Sequence, residues 1–464
     1  MNQLGLLAKK RTVFLLDKYF TGKTLDYRQI LAILFPIFID QGFMIIMSLL
    51  NTAMISSSGV AAVSAVSMVD SLNIFIISVF IALATGGTVI VAQYKGSGNP
   101  EMASNAASQA VTAVTMASVI ISLLVISLHT PALQLLFGQA EADVLENAEL
   151  YLIGSCFTYP LLAIYQAVTG VLRGVGETKA TLILSIIINL STFVFNLLFI
   201  TLLGMGVWGL VISIILSRLL GMGASLFYLM KYSHHLRFRF KQALKLDLSI
   251  VRKIMFIGLP FAAEQMFFNG GKLLTQMYIV QFGTLALTVN AICNSISLVF
   301  QIGGAAVSVA IVTVVGQSIG AKNIDDAKKF IRSFLGLSNI IFVFAALILL
   351  PIFPFMVRLF SPPEEIISEI FKLTLLVAIA QPICWSASFI LPSALRAAGD
   401  SKFTSITSLL TMWLLRVTLG YILGVGLELG VFGVWLAMVI EWGVRGLIFT
   451  LRFRGEKWYA HKLI

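Results

Sequence analysis

This chain of 464 residues is cut by short polar turns into twelve apolar runs, and that division constrains its fold more than any other feature. The runs fall at residues 29–53, 61–93, 101–128, 147–172, 179–203, 206–231, 253–281, 284–318, 325–351, 366–394, 403–424 and 431–451. A helix needs roughly 20 apolar residues to cross a bilayer, so each run predicts one crossing. The composition agrees: 58% of residues are apolar and 11% charged, whereas soluble domains carry about 25% charged residues. The expected fold class is all-α and integral to the membrane, with twelve transmembrane helices. The second and eighth runs are long enough to require tilt or projection beyond the hydrocarbon.

The runs repeat in order. Phe35-Pro36-Ile37-Phe38-Ile39-Asp40-Gln41 returns as Leu259-Pro260-Phe261-Ala262-Ala263-Glu264-Gln265, with the proline, the acid and the glutamine each displaced by 224 positions. At the same offset Gln93, Gly96 and Asn99 match Gln317, Gly320 and Asn323. Asp70 matches Asn294, and Gly206-Val207-Trp208-Gly209 matches Gly430-Val431-Phe432-Gly433. One position less relates Leu172-Arg173, Gly176 and Lys179 to Leu395-Arg396, Gly399 and Lys402. Six helices per copy give both copies the same orientation. Two pseudo-symmetric lobes related by an axis along the membrane normal are therefore expected, with a substrate path near that axis. The expected boundaries are an N-terminal segment 1–28, a first lobe 29–231, a linker 232–252, a second lobe 253–451 and a C-terminal tail 452–464. In the matched turns, Gly96 and Gly320 are expected to end helices in the left-handed conformation, and Asn99 and Asn323 to cap the next ones.

The net charge of +11 is distributed as the positive-inside rule requires. Most of the 32 Lys and Arg lie in 1–28, 94–100, 173–179, 231–253, 319–332, 396–402 and 452–464. The opposite loops hold acids such as Glu141, Asp143, Glu146, Glu364 and Glu365. This places both termini in the cytoplasm and argues against nucleic acid as a partner. The basic N-terminal residues precede an apolar run followed by many more, which is not the pattern of a cleaved signal. Cys156, Cys293 and Cys384 lie far apart in apolar runs, so buried free thiols are expected, with no disulfide, metal or cofactor. No Ser/His/Asp order, HExxH motif or phosphate-binding glycine loop is present, which argues against an enzyme.

A carboxylate at the centre of a membrane helix costs roughly 2.5–3.5 kcal/mol on insertion scales, which makes Asp40, Asp70 and Glu264 functional candidates. Pro36 removes a backbone donor and predicts a kink one turn before Asp40. Asp40 and Asn51 are eleven residues apart on nearly the same helical face. Glu264 is expected to face Lys272, Arg416 or another helix. Arg218 needs a partner, with Asp70 and Asp40 the nearest by lobe. Glu441 and Arg445 sit four apart and can neutralise each other. Gln41, Met44, Asn51, Asn189, Asn196, Gln265, Phe268, Lys272 and Asn294 are candidate lining residues of a substrate cavity, with Phe43, Met47, Met266, Phe267 and Met277 beside them. Thioethers and aromatic faces suit varied flat cationic ligands.

Four stretches carry a resemblance to a known family. They are 36–59, which includes Asn51-Thr52-Ala53-Met54; Ala92-Gln93 through Gly98-Asn99; Leu172-Arg173-Gly174-Val175-Gly176-Glu177-Thr178-Lys179; and its copy Leu395-Arg396-Ala397-Ala398-Gly399-Asp400-Ser401-Lys402. In this order, within a twelve-helix repeat, the chain resembles the bacterial multidrug and toxic compound extrusion (MATE) transporters. The resemblance implies a V-shaped pair of six-helix lobes in the plasma membrane, acting as a monomer by alternating access. It implies export of amphipathic, often cationic drugs or toxins in exchange for protons or sodium. The chain also departs from the family. Asn51 stands where relatives keep an aspartate on helix 1. Asn196, with Asn189 earlier on the same helix, stands where many proton-coupled members keep another. Glu264 lies only four residues after Pro260, and helix 10 has no interior carboxylate. Asp40, with Asp70, is therefore the expected coupling group, and Glu264 a second ion site or a counter-charge for cationic cargo. The alternative is a flippase for a lipid-linked polysaccharide precursor, whose cavity should concentrate Arg and Lys for diphosphate.

Overall fold

The computed structural model describes residues 11, 13–55, 60–138, 140–238 and 245–464. Parts of two expected segments, residues 1–10 of the N-terminal segment and 239–244 of the linker, lie outside the described residues, as do 56–59 of the first resembling stretch. The first six long helices are α1 Tyr27–Ile55, α2 Val60–Gly96, α3 Pro100–Phe137, α4 Ala142–Gly174, α5 Thr178–Asn196 and α6 Gly206–Lys231. The next four are α7 Leu248–Gln281, α8 Thr284–Gly320, α9 Ile324–Phe360 and α10 Glu364–Ala380. The last two are α11 Ser401–Thr411 and α12 Gly430–Arg454. Three of these paths contain widened π turns, four in all: Leu197–Leu202 extends α5, Gln381–Ile390 extends α10 into Leu391–Ala397, and Met412–Val417 and Ile422–Gly426 extend α11. No strand occurs among the described residues.

Eleven of the twelve paths are long and apolar enough to cross a membrane. The remaining one is α7, whose Glu264, Gln265, Asn269, Lys272 and Gln276 dilute its apolar character. Excess length is not confined to the second and eighth helices, each of 37 residues, because α3 has 38 and α9 has 37. At 1.5 Å per residue such helices run about 55 Å, against roughly 30 Å of hydrocarbon.

The chain divides into two compact units, Phe35–Ala262 in one, and Ala263–Ile464 with the described part of Met1–Leu34 in the other. Both divides fall inside helices, beside Pro36 in α1 and Pro260 in α7. The linker loop expected to separate the lobes, in its described part, lies within the first of these units.

In the first unit α4 packs closely on α2. A Cβ added at Gly170 or Gly174 would fall within 3 Å of Thr88, so these two glycines, four apart, let the backbones approach. In the second unit the N-terminal segment is docked on α9. Thr24 donates its backbone N–H and its hydroxyl to Asp326 Oδ2 at 2.7 and 2.8 Å, and Lys329 Nζ donates to the Thr21 carbonyl at 2.5 Å.

The repeat is visible in backbone detail. The second glycine of each Gly-Val-aromatic-Gly motif packs on the end of the preceding helix. An added Cβ would lie 2.8 Å from the Phe199 carbonyl oxygen at Gly209 and 2.6 Å from that of Leu423 at Gly433. Asn99 and Asn323 cap α3 and α9, accepting from Met102 N and Asp326 N at 3.0 Å. The left-handed residues of these turns are not Gly96 and Gly320, however. They are Gly98, with φ 73°, and Lys322, with φ 57°. The helices run through Gly96 and Gly320, and the reversal comes two residues later, just before the capping asparagine.

Glycine accepts that conformation freely, whereas an L-residue there costs about 1–2 kcal/mol. Lys322→Gly is therefore expected to raise stability by about 1 kcal/mol, and Gly98→Ala to lower it by a similar amount, because nothing lies within 4 Å of an added Cβ at Gly98 and strain acts alone. Thermal unfolding of the two variants in detergent checks the opposite signs.

Candidate functional site

Each repeated acid lies in the field of a repeated arginine, and one of the two closes an ion pair. Glu264 projects from α7, and Arg396 Nη1 donates to its Oε2 at 2.9 Å, with side-chain exposures of 9% and 7%. Ser405 Oγ on α11 donates to the same oxygen at 3.0 Å, and Arg396 Nη2 donates to Ser393 Oγ at 3.3 Å. The partner of Glu264 is thus neither Lys272 nor Arg416 but a residue of another helix, the third of the expected alternatives. It is the arginine of the Leu395-Arg396 turn, which the sequence assigned to a cytoplasmic loop. That arginine's repeat equivalent, Arg173, acts electrostatically on Asp40, together with Ser185 on α5 and Tyr165 on α4. An acid on the first helix of a copy and an arginine ending the fourth is one design used twice. The 224- and 223-residue offsets carried that signal in the sequence, and neither arginine was connected to its acid there.

The two copies differ in closure. Glu264 is buried with its charge matched. Asp40 is half-buried, and its Oδ1 is sealed from solvent without a hydrogen-bond partner. A carboxylate oxygen in that position is costly when charged, and protonation relieves part of the cost.

Asp70 sits in a different environment. Its Oδ1 accepts from Tyr151 Oη at 2.7 Å and from Asn73 Nδ2 at 3.3 Å, and Tyr159 Oη donates to Asn73 Oδ1 at 2.6 Å. Arg218 Nη1 donates to Thr158 Oγ1 at 2.5 Å and attracts Asp70 at longer range. Of the two partners expected for Arg218, the nearby acid is Asp70, and this network ties α2, α4 and α6. Asn51 is paired with Asn196, whose Nδ2 donates to its Oδ1 at 3.2 Å. Asn189 Nδ2 donates to the Ser185 carbonyl at 2.9 Å. Gln41 is half-buried and Met44 is exposed, whereas Met47 is 5% exposed and belongs to the core rather than to a cavity wall.

In the second unit Lys272 and Asn294 line a cavity of about 190 Å³ together with Gln276, Asn290, Arg416 and Trp435. Phe268 stands beside it, its ring approached by Lys272 at 5.0 Å, Arg445 at 5.6 Å and Arg416 at 6.0 Å. Glu441 and Arg445 pair at 3.0 Å as their spacing predicted, and Arg445 Nε donates to Ser388 Oγ at 2.6 Å. Gln265 is half-buried, and Met266, Phe267 and Met277 are exposed. The cysteines are free, with Cys384 half-buried rather than buried, and no metal-binding cluster occurs among the described residues.

Twelve helical paths in two repeated halves, eleven of them long and apolar enough to cross a bilayer, define a multi-pass membrane protein. The MatE family profile matches residues 36–198 and again residues 260–422, beginning both times at the repeated prolines, and the chain belongs to that family of multidrug and toxic compound extrusion transporters. It is similar to an uncharacterized transporter of Bacillus subtilis (strain 168), with 28% identity over 92% of this chain and 94% of the relative. A probable NorM multidrug resistance protein of Thermotoga maritima shares 24% identity over 93% of each chain. Among solved structures, an outward-facing multidrug resistance MATE transporter of the MOP superfamily matches with a TM-score of 0.84 at 18% identity, covering 92% of this chain and 94% of that one. A MOP superfamily transporter from Pyrococcus furiosus matches with a TM-score of 0.82 at 19% identity, with the same coverage.

Removing one partner of a buried ion pair strands the other charge, at about 3–5 kcal/mol. Glu264→Gln is expected to destabilise the protein by about 3 kcal/mol, with Glu264→Gln/Arg396→Gln recovering part of the loss. Melting temperatures of wild type, both single variants and the double variant complete the cycle.

Proposed function

We propose that the protein is a secondary antiporter that exports amphipathic organic compounds in exchange for protons, with Asp40 as the coupling carboxylate. The observation that carries this reading is the contrast between the repeated acids. Glu264 is paired with Arg396 at 2.9 Å, while Asp40 has a sealed oxygen that no donor reaches. An acid in that state gains a proton when its surroundings dry and releases it when water or a cation returns. Asp70, satisfied by Tyr151 and Asn73, serves this reading as a fastener of helices.

Family membership supports drug efflux, and the alternation of Lys- and Arg-rich loops supports a plasma-membrane location with both termini cytoplasmic. Cationic cargo was expected on the strength of acids in both copies. Glu264 already carries its counter-charge, so that support is reduced to Asp40.

Proteoliposomes loaded with a fluorescent amphipathic dye test the reading under a pH gradient and, separately, a sodium gradient. A pH gradient is expected to drive efflux, and Asp40→Asn to slow it by at least about tenfold while leaving the melting temperature within a few degrees of wild type. Normal proton-driven efflux by Asp40→Asn, or efflux driven by sodium alone, would overturn the assignment.

A further inference from the structure

The cavity between α7, α8, α11 and α12 has an unusual balance of charge. Lys272 and Arg416 line it, and no acidic residue is among its described lining residues. Neither cation has an ion-pair partner within 4 Å among the described residues, although Glu441, whose Oε2 is sealed without a hydrogen-bond partner, attracts Arg416 at longer range. Glu264 is held by Arg396 and Glu441 by Arg445. Four cations are therefore set against two carboxylates in this part of the bundle. Arg416 Nε is sealed from solvent with no hydrogen-bond partner.

The amides of the cavity have a fixed orientation. An indole N–H only donates, so Trp435 Nε1, 3.0 Å from Asn290, identifies the atom it meets as the acceptor Oδ1. Asn290 Nδ2 is then the donor to Gln276 Oε1 at 2.9 Å. That leaves Gln276 Nε2, a donor, as the unengaged end of an exposed side chain on the cavity wall. Asn294 Nδ2 is committed to the Asn290 carbonyl at 2.9 Å. The groups left for a ligand are thus an ammonium, a guanidinium and an amide N–H, beside the aromatic ring of Phe268.

Local backbone geometry contributes. Arg416 lies within the π turn Met412–Val417, and the extra residue in such a turn shifts the side chains that follow around the helix. Its first-unit counterpart, α5, runs as a regular helix until its terminal π turn Leu197–Leu202. The widened turn carrying Arg416 is therefore a feature of the second copy alone.

From this we infer that the cavity is a subsite for the anionic group of an organic carboxylate, with Lys272 and Arg416 as its charge partners and Gln276 as a neutral donor. The inference rests on the reading of the protein as an exporter of amphipathic compounds and extends it to the cargo's charge: favoured cargo carries a carboxylate on an apolar or aromatic frame. A guanidinium and an ammonium meeting one carboxylate match the charge-assisted pattern that gives short, strong hydrogen bonds.

Equilibrium binding to the full-length protein in detergent tests this without any ion gradient. The isothermal titration probes are 1-naphthoate, the neutral 1-naphthalenemethanol and the cationic 1-naphthylmethylammonium, which share one aromatic frame. Naphthoate is expected to bind at least about tenfold more tightly than either of the others. Lys272→Gln and Arg416→Gln are each expected to weaken naphthoate by about tenfold, with Lys272→Arg close to wild type. Lys272 is exposed, so its variants keep the fold even if Arg416→Gln does not, and melting curves verify that. Equal affinity for the three probes, or unchanged naphthoate affinity in Lys272→Gln, would overturn the subsite. Neither result depends on Asp40, so failure here is distinct from failure of proton coupling.

Discussion

The interior of this protein is organised by the cost of placing charge where water is scarce. A carboxylate in a membrane helix must be neutralised by a proton or by a cation, and each repeat contains a candidate cation at the end of its fourth helix. In the second copy Arg396 reaches Glu264 at 2.9 Å and the pair closes. In the first copy Arg173 acts on Asp40 from the equivalent position, yet a carboxylate oxygen remains sealed without a partner. Duplication supplied two similar sites, and divergence made one a structural clasp and left the other chemically unfinished. A site left unfinished in this way is what the proton coupling proposed for Asp40 requires.

The same accounting explains where the second copy's excess positive charge resides. Once Arg396 and Arg445 have taken the two glutamates, Lys272 and Arg416 are left around Phe268. The quadrupole of the ring and the longer-range attraction of Glu441 for Arg416 offset part of their repulsion. Asp70 shows the opposite solution. Two hydroxyl-bearing tyrosines, an asparagine and Arg218 surround it, so its charge is dispersed over a network that fastens three helices.

Much of the architecture was legible in the residues. Apolar runs near 20 residues or more marked the helices, and the displaced Pro-x-x-x-acid-Gln motif marked the duplication. The Asn99 and Asn323 caps followed from local chemistry alone, because a cap involves only three or four successive residues. The left-handed position was misplaced by two residues, since the sequence offers two glycines in one turn and only one in the other. Lys322 occupies the strained position, and no propensity rule selects it. The unit divide was also hidden. It falls inside α1 and α7, where no composition change marks it, rather than in the basic mid-chain loop.

What the sequence determined by itself was the number and type of elements, their repetition, and which residues are expensive to bury, because these depend on composition and spacing along one chain. What only the tertiary structure decided was which charge meets which. The pairing of Glu264 with Arg396 spans 132 positions, and that of Asn51 with Asn196 spans 145. Distances of that kind depend on helix rotation and on widened turns such as Met412–Val417, which a 3.6-residue period does not encode. The twin motif announced two buried acids of equal standing, and the packing of the fourth and fifth helices of each copy made them unequal.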